Sequence, residues 1–402
     1  MARAESRGPS RVGEPGDDIV QKAILPCRLD PGDSPIRIAI ALAGLHRLTR
    51  GAEVAFEAIG RELARMDGLE VTLFGSGEAR PSEPYAFEHV GNVPRERFES
   101  WPRVPVFRSE YAYEEFTFVG SLLTRYRPRN FDVTVTCSYP FTNWLLARRT
   151  SSGGRPAHVF VTQNGDYPAY GGRSEFRLFT CDGLVCTNPE YYERNRDRWP
   201  SALIPNGVDP TFFSPGLADR EKLDLPTDAP LVLMVSALTP SKRVDAGIRA
   251  ASRVEGLHLV VCGDGPERAA VRSLGAELMP GRFQCRTVSR ELMPDMYRAA
   301  DLFLHMSLDE PSANAYIEAL AAGLPIVTHD RLVTRWTLEE TAALVDATDE
   351  PQVAAGIREA LGRRSSKEIE GRRDLVRRRF SWSTLARLYR AFFEEVLERR
   401  GS

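Results

Sequence analysis

Residues 36–75 read IRIAIALAGLHRLTRGAEVAFEAIGRELARMDGLEVTLFG, and their hydrophobic pattern decides the fold class. The run at 36–44 is apolar over the length of a buried strand. After a polar loop, Val54, Ile59, Leu63 and Met66 fall on one face of a helix over 52–66. A second strand is predicted at 69–75. Strand, loop, helix and strand in this order form a parallel βαβ unit, because parallel neighbours need a long crossover between them.

The alternation extends in both halves of the chain. Strands are predicted at 131–137, 157–163 and 182–187, each followed by a helix. The intervening 76–115, rich in Pro, Glu and aromatic residues, reads as long loops or short extra strands. IPNGVDPTFFSPG (204–216) concentrates turn formers and reads as a connection between domains. Beyond it, strands are predicted at 231–238, 257–263, 282–288, 301–307, 325–329 and 342–347, with helices such as RVDAGIRAASRV and SANAYIEALAAG between them. Two successive βα arrays imply an α/β protein of two Rossmann-like, doubly wound domains. The domains divide as 36–212 and 213–382, after a mobile extension at 1–35. WSTLARLYRAFFEEVLE (382–398) is a further amphipathic helix that suits either domain.

A formal net charge of −2 gives no whole-protein attraction to nucleic acid, so none is expected as a partner. The six cysteines form no CxxC pair and no Cys/His cluster at metal spacing, which points to buried thiols, a reducing cytoplasm and no metal site. No apolar run approaches the roughly 20 residues a membrane span needs. Peripheral contact with the inner face of a membrane stays open through RRDLVRRRF (372–380), which is either a solvated helix face or a lipid contact. The oligomeric state is not legible.

In open α/β sheets, ligands bind beyond the carboxyl ends of the strands, so the loops there carry the functional reading. TPSKRVD (239–245) puts Lys242 and Arg243 near a helix start, where two cations suit a diphosphate; a surface pair is the plain alternative. Gly263 and Gly265 in GDGPERAAV read as a strand-to-helix turn. In DEPSANAYIEALAAGLP (309–325), Asp309 and Glu310 lie in a loop and Ser312 caps the next helix. The amides of Ser312, Ala313 and Asn314 are then available to an anion, and Glu318 follows among apolar neighbours that make a lone carboxylate costly. Carboxylate, amides and carboxylate match a molecule with hydroxyls on both sides of a phosphate, as in a nucleotide sugar.

The spacing of Glu310 and Glu318, followed by ALAAGLPIV, resembles the E-x7-E signature of family-4 retaining glycosyltransferases, which have the GT-B architecture. IPNGVD (204–209), SALTPSKRVD (236–245), VVCGDGPE (260–267), MYRAADLFLHMS (296–307) and FSW (380–382) follow the same order. The resemblance covers 36 to about 398. It implies two domains facing a central cleft, a nucleotide-diphosphate sugar as donor, a hydroxyl acceptor, and neither cofactor nor metal. By the same resemblance Glu310 holds donor-sugar hydroxyls, Glu318 the ribose and Lys242 the leaving diphosphate. Ser312, Ala313 and Asn314 help with that diphosphate, and the backbone near Val288 meets the base. Gly51, in TRGAE (49–53), brings backbone close to phosphate or acceptor, and the final helix, 383–400, crosses back to the first domain.

The chain departs from the pattern in three places. Ser236 and Ala237 replace the usual Gly-Arg, which leaves Arg243 to supply the missing cation. EPSA replaces E-G-F-G. Gln163 stands where a histidine is common; it can bond a sugar hydroxyl but cannot titrate. The alternative is therefore a catalytically impaired nucleotide-sugar binder or complex subunit. Tyr139, Phe141, Tyr167 and Tyr170 read equally as stacking partners for an acceptor or as surface packing, while His305 and His329 read as structural or incidental.

Overall fold

A computed structural model describes residues 34–148, 154–170, 174–310 and 314–401. The expected extension therefore lies, apart from its last two residues, outside the described residues. The first sheet comprises β1 (Ile36–Ala41), β2 (Leu69–Gly75), β3 (Ala86–His89), β4 (Val133–Thr136), β5 (Ala157–Val161), β6 (Gly183–Cys186) and β7 (Ser201–Leu203). Its helices are α1 (Gly51–Ala64), α2 (Glu110–Arg125), α3 (Phe141–Ala147) and α4 (Pro189–Asn195). The second sheet comprises β8 (Leu231–Val235), β9 (His258–Cys262), β10 (Phe283–Arg286), β11 (Leu302–His305), β12 (Ile326–His329) and β13 (Ala342–Val345). Around it lie α5 (Val244–Ser252), α6 (Arg268–Leu278), α7 (Met293–Ala299), α8 (Asn314–Ala321), α9 (Leu332–Leu338), α10 (Glu350–Leu361) and α11 (Ser366–Arg379). The last helix, α12, runs Trp382–Gly401.

The first sheet has the order β3-β2-β1-β4-β5-β6-β7 and the second β10-β9-β8-β11-β12-β13. All pairings are parallel. The strand order reverses between β1 and β4 and again between β8 and β11, and such switch points leave a crevice at the carboxyl ends. In β1 the alternation sorts by size. Ile36, Ile38 and Ile40 pack with Phe56, Ile59 and Leu63 of α1, whereas Ala39 and Ala41 let Phe118 and Leu122 of α2 approach the opposite face. Both faces are covered, so the strand is apolar from Ile38 onward, and Arg37 at its start pairs with Asp132.

The helix over 52–66 forms, but Val54 and Met66 are only half-buried; Ala52, Ala55 and Phe56 join Ile59 and Leu63 on the buried side. The reason is that α12 packs against the same core, so α1 buries a wider face than a single stripe. One short extra strand forms where 76–115 left room for it, and one strand was not expected. β3 lies in the irregular 76–115 and is a short edge strand with little burial, while β7 has only three residues. The chain passes between the sheets twice, and the crossings touch: Val208 N donates to Phe380 O at 2.8 Å. The five described cysteines are buried and free; Cys27 lies outside the described residues. Among the described residues no helix is long and apolar enough to cross a membrane.

Candidate active site

The loop after β8 turns through a short 3-10 segment, Pro240–Lys242, and Arg243 adopts a left-handed conformation (φ 51°) before α5. A neighbouring turn holds that loop in place. A Cβ on Gly263 would lie 1.9 Å from Ser236 O, and one on Gly265 (φ 152°) 2.5 Å from Leu238 O. Leu238 N donates to Asp264 O at 2.8 Å and Leu238 O accepts from Glu267 N at 3.0 Å. The two glycines therefore let one backbone lie against another, which is the strand-to-helix reading made specific.

Lys242 Nζ reaches across the switch point and ion-pairs with Glu310 Oε2. Glu310 follows β11 and is 6% exposed. His305, the last residue of β11, sets Nε2 3.3 Å from the same oxygen, with its ring edge-on to Tyr316 at 4.9 Å between centroids. Burial alone raises a carboxyl pKa; here the hydrogen bonds from His305 and Lys242, with the lysine charge, overcome it and hold Glu310 down to about 2. His305 is thus a neighbour of the predicted site residue, not incidental. Its place at a strand's carboxyl end, five positions before Glu310, was the available signal. His329 accepts from Ala347 N at 3.2 Å through Nδ1 and is structural.

Glu318, in α8, is buried with partners of its own. Tyr297 OH donates to Oε2 at 2.9 Å, and Arg290 Nη1 stands 3.4 Å from Oε1. Burial raises its pKa, opposed by the charge of Arg290 and both contacts. The guanidinium of Arg290 lies 5.7 Å from the centroid of the Phe213 ring. Neither Tyr297 nor Arg290 was singled out from sequence, because nothing local marks a tyrosine 21 positions upstream as a carboxylate's partner.

The first domain meets this site directly. Gly51 opens α1, and a Cβ on it would lie 3.5 Å from Asn314 Nδ2. Asn314 Oδ1 accepts from Asn206 Nδ2 at 2.9 Å. Arg331 joins Glu190 of α4 (2.6 Å) to Asp309, next to Glu310 (2.8 Å). The remaining predicted residues are less engaged. Arg243 donates to Ala347 O at 3.2 Å, with Nε buried and unpartnered. Val288 packs partly against the second core, and Gln163 is half-buried in the turn after β5. Ser312 and Ala313 lie outside the described residues. Among the described residues no three His, Cys, Asp or Glu side chains are grouped as a metal site.

In the basic run at 372–380, Arg377 and Arg378 lie exposed on a solvated helix face, whereas Arg372 does not. Arg372 is buried and donates to Gly323 O (3.1 Å) and Arg363 O (2.8 Å). Arg378 pairs with Asp374, Arg377 and Arg373 with Glu370, and Arg379 lies over Trp336 at 4.5 Å while pairing with Glu339.

Two parallel-sheet domains meeting at both switch points define a GT-B protein, and the comparisons with known proteins agree. Residues 49–212 match the family described as Glycosyltransferase Family 4, and 217–377 that described as Glycosyl transferases group 1. The two matches together span most of the chain, which belongs to these family-4 glycosyltransferases. It is 31% identical over 204 residues to the lipopolysaccharide core biosynthesis glycosyltransferase LpsE of Rhizobium meliloti, across 49% of this chain and 58% of that one. It is 26% identical over 397 residues to the D-inositol 3-phosphate glycosyltransferase of Thermobispora bispora, across 87% and 90%. The matched region thus spans little more than half of LpsE. Sucrose-phosphate synthase from Thermosynechococcus elongatus has the same fold, with a TM-score of 0.70 at 21% identity over 90% of this chain and 100% of that one. HepE of Anabaena, solved with UDP and glucose, gives 0.65 at 16% over 91% and 100%.

Proposed function

We propose that this protein transfers a hexose from a nucleotide-diphosphate sugar to a hydroxyl acceptor with retention at the anomeric carbon. The observation that carries the reading is the buried Glu310 carboxylate held between Lys242 and His305 at the ends of β8 and β11. A carboxylate held at about 2 is ionised throughout the physiological range and accepts hydrogen bonds from sugar hydroxyls. In this reading Lys242 turns toward the diphosphate as it leaves, and Glu318 takes ribose hydroxyls with lone pairs that Tyr297 and Arg290 leave open. The acceptor oxygen bonds to the anomeric carbon on the face the diphosphate departs from. The bond to the diphosphate breaks with its electron pair, and a donor phosphate oxygen receives the acceptor's proton. The rate then rests on positioning and on charge stabilisation of the leaving group, with Lys242 in place of a metal ion.

A screen of UDP-, GDP- and dTDP-sugars by mass spectrometry, with sugar, polyol and lipid-linked acceptors, tests the reading. Proton NMR couplings of the product report the anomeric outcome. Glu310→Gln and Lys242→Met are each expected to lower kcat/KM by about 10²–10³-fold, with the wild-type rate unchanged by EDTA. A second reading, a nucleotide-sugar binder without turnover, draws on Ala237, which brings no cation, and on Arg243, committed to Ala347. Binding of several nucleotide sugars with neither transfer nor hydrolysis would establish that reading instead.

A further inference from the structure

We infer that the outer face of α2 and the loop before it form a docking surface for an anionic bilayer. The inference extends the proposed function by placing the acceptor in that bilayer. Trp101, Val104, Phe116 and Leu123 are 44–55% exposed. Phe116, Gly120 and Leu123 follow one another at helical spacing, so they form a single stripe along α2. The rings at its N-terminal end are packed into a platform. Trp101 lies edge-on to Tyr113 at 5.1 Å, Phe107 stacks on Tyr113 at 4.5 Å and meets Phe116 at 5.4 Å. Tyr113 OH donates to Pro102 O at 2.6 Å and ties the loop to the helix. These contacts hold large aromatic side chains at the surface, where a contiguous apolar patch marks an interaction site.

Charge identifies the occupant. Arg97, Arg103, Arg125, Arg127 and Arg129, at the end of α2 and in the segments that flank it, are exposed and form no ion pair among the described residues. The exposed acids of the same loop are Glu96, 4.0 Å from Arg50, and Glu99. Aromatic rings flanked by arginine suit the headgroup layer of an anionic membrane, with α2 lying in its plane. A second copy of the chain fits less well, because a two-fold contact through this stripe sets the same arginines against one another. The basic run of α11 lacks this property, since its arginines are held by acids, carbonyls and a tryptophan.

The surface also abuts the cleft. Tyr111, in the first turn of α2, bonds Ser138 Oγ at 2.6 Å, and Ser138 follows β4 at the switch point of the first sheet. A bilayer on this face brings the headgroups of its lipids to the cleft rim, so the inference narrows the acceptor class to a lipid-borne hydroxyl.

The test is flotation of the full chain with phosphatidylcholine vesicles, with and without half phosphatidylglycerol, in the absence of donor and acceptor. The wild type is expected to float with the anionic vesicles only, and to be released by high salt. Replacing Trp101, Phe116 and Leu123 together by Ser should lower the partition coefficient by about tenfold or more with an unchanged thermal midpoint, as these side chains are exposed. The Arg377→Gln/Arg378→Gln variant should float like the wild type. Failure of the wild type to float, equal flotation of the triple Ser variant, or a wild-type dimer abolished by that variant without any vesicle binding would each overturn the inference. No transfer is needed, so the outcome stands apart from the proposed reaction.

Discussion

Glu115 and Glu310 are both buried carboxyls, and their surroundings drive them in opposite directions. Glu310 faces Lys242 and His305 and is held at about 2. Glu115, fully buried in α2, has its Oε1 accept from Thr142 N at 2.8 Å, at the start of α3, and its Oε2 has no hydrogen-bond partner. Burial pushes it up to about 7. Between the ordinary value of 4.5 and about 7 the folded chain therefore binds more protons than the unfolded one. Its contribution is fully present below that window and is lost as pH rises through it, by about 3 kcal/mol at roughly 1.4 kcal/mol per pH unit. Glu115→Gln keeps an acceptor for Thr142 and removes the titration. Urea unfolding at pH 5 and pH 7.5, which span most of the window, should show the variant gaining on the wild type by about 2 kcal/mol. Equal pH dependence of the two proteins would refute the assignment. The carboxylate at 310 was legible because it sits in register with Glu318 and a helix start. Glu115 was not, since its meaning comes from Thr142, 27 positions later.

At the scale of elements, α12 shows how far amphipathicity carries. The stripe of Leu385, Tyr389, Phe392, Phe393 and Val396 was readable as a buried face, but amphipathicity did not name the sheet it covers, and only the family resemblance pointed to the first domain. It covers the first one, where Gly183 of β6 makes room: a Cβ there would lie 2.7 Å from Val396 Cγ2 and 2.9 Å from Phe392 Cζ. Phe392→Ala should therefore cost about 3–5 kcal/mol and Gly183→Ala about 1–3 kcal/mol, the first by a cavity and the second by overpacking. Chemical denaturation followed by tryptophan fluorescence measures both, and a neutral Gly183→Ala would contradict this packing. The short strand β7 was illegible for the converse reason, and β3 could be bounded no more closely than 76–115, as three or four residues at a sheet edge carry no period.

At the scale of the whole molecule, the domains are joined by the two chain crossings and by Arg331, which bonds Glu190 on one side and Asp309 on the other. Arg331 is 15% exposed at its side chain, so water screens this contact less than it would a surface pair. Arg331→Gln and Glu190→Gln should each open the cleft of the free protein, visible as a larger radius of gyration in X-ray scattering. Arg331→Gln should also weaken donor binding about tenfold, because Asp309 adjoins Glu310 and loses its anchor. An unchanged scattering curve in both variants would show that the crossings and the Asn206–Asn314 bond hold the domains without Arg331. By itself the sequence determined the two βα arrays, the turn-rich passage between them and the loops that follow each strand. Those follow from hydrophobic period and turn chemistry, which act over a few residues. Only the tertiary structure decided that Lys242 meets Glu310 across 68 positions, that His305 and Tyr297 hold the two carboxylates, and that Gly51 faces Asn314. These pairings depend on strand order and on how two cores dock, which distant contacts set jointly and no short stretch of chain encodes.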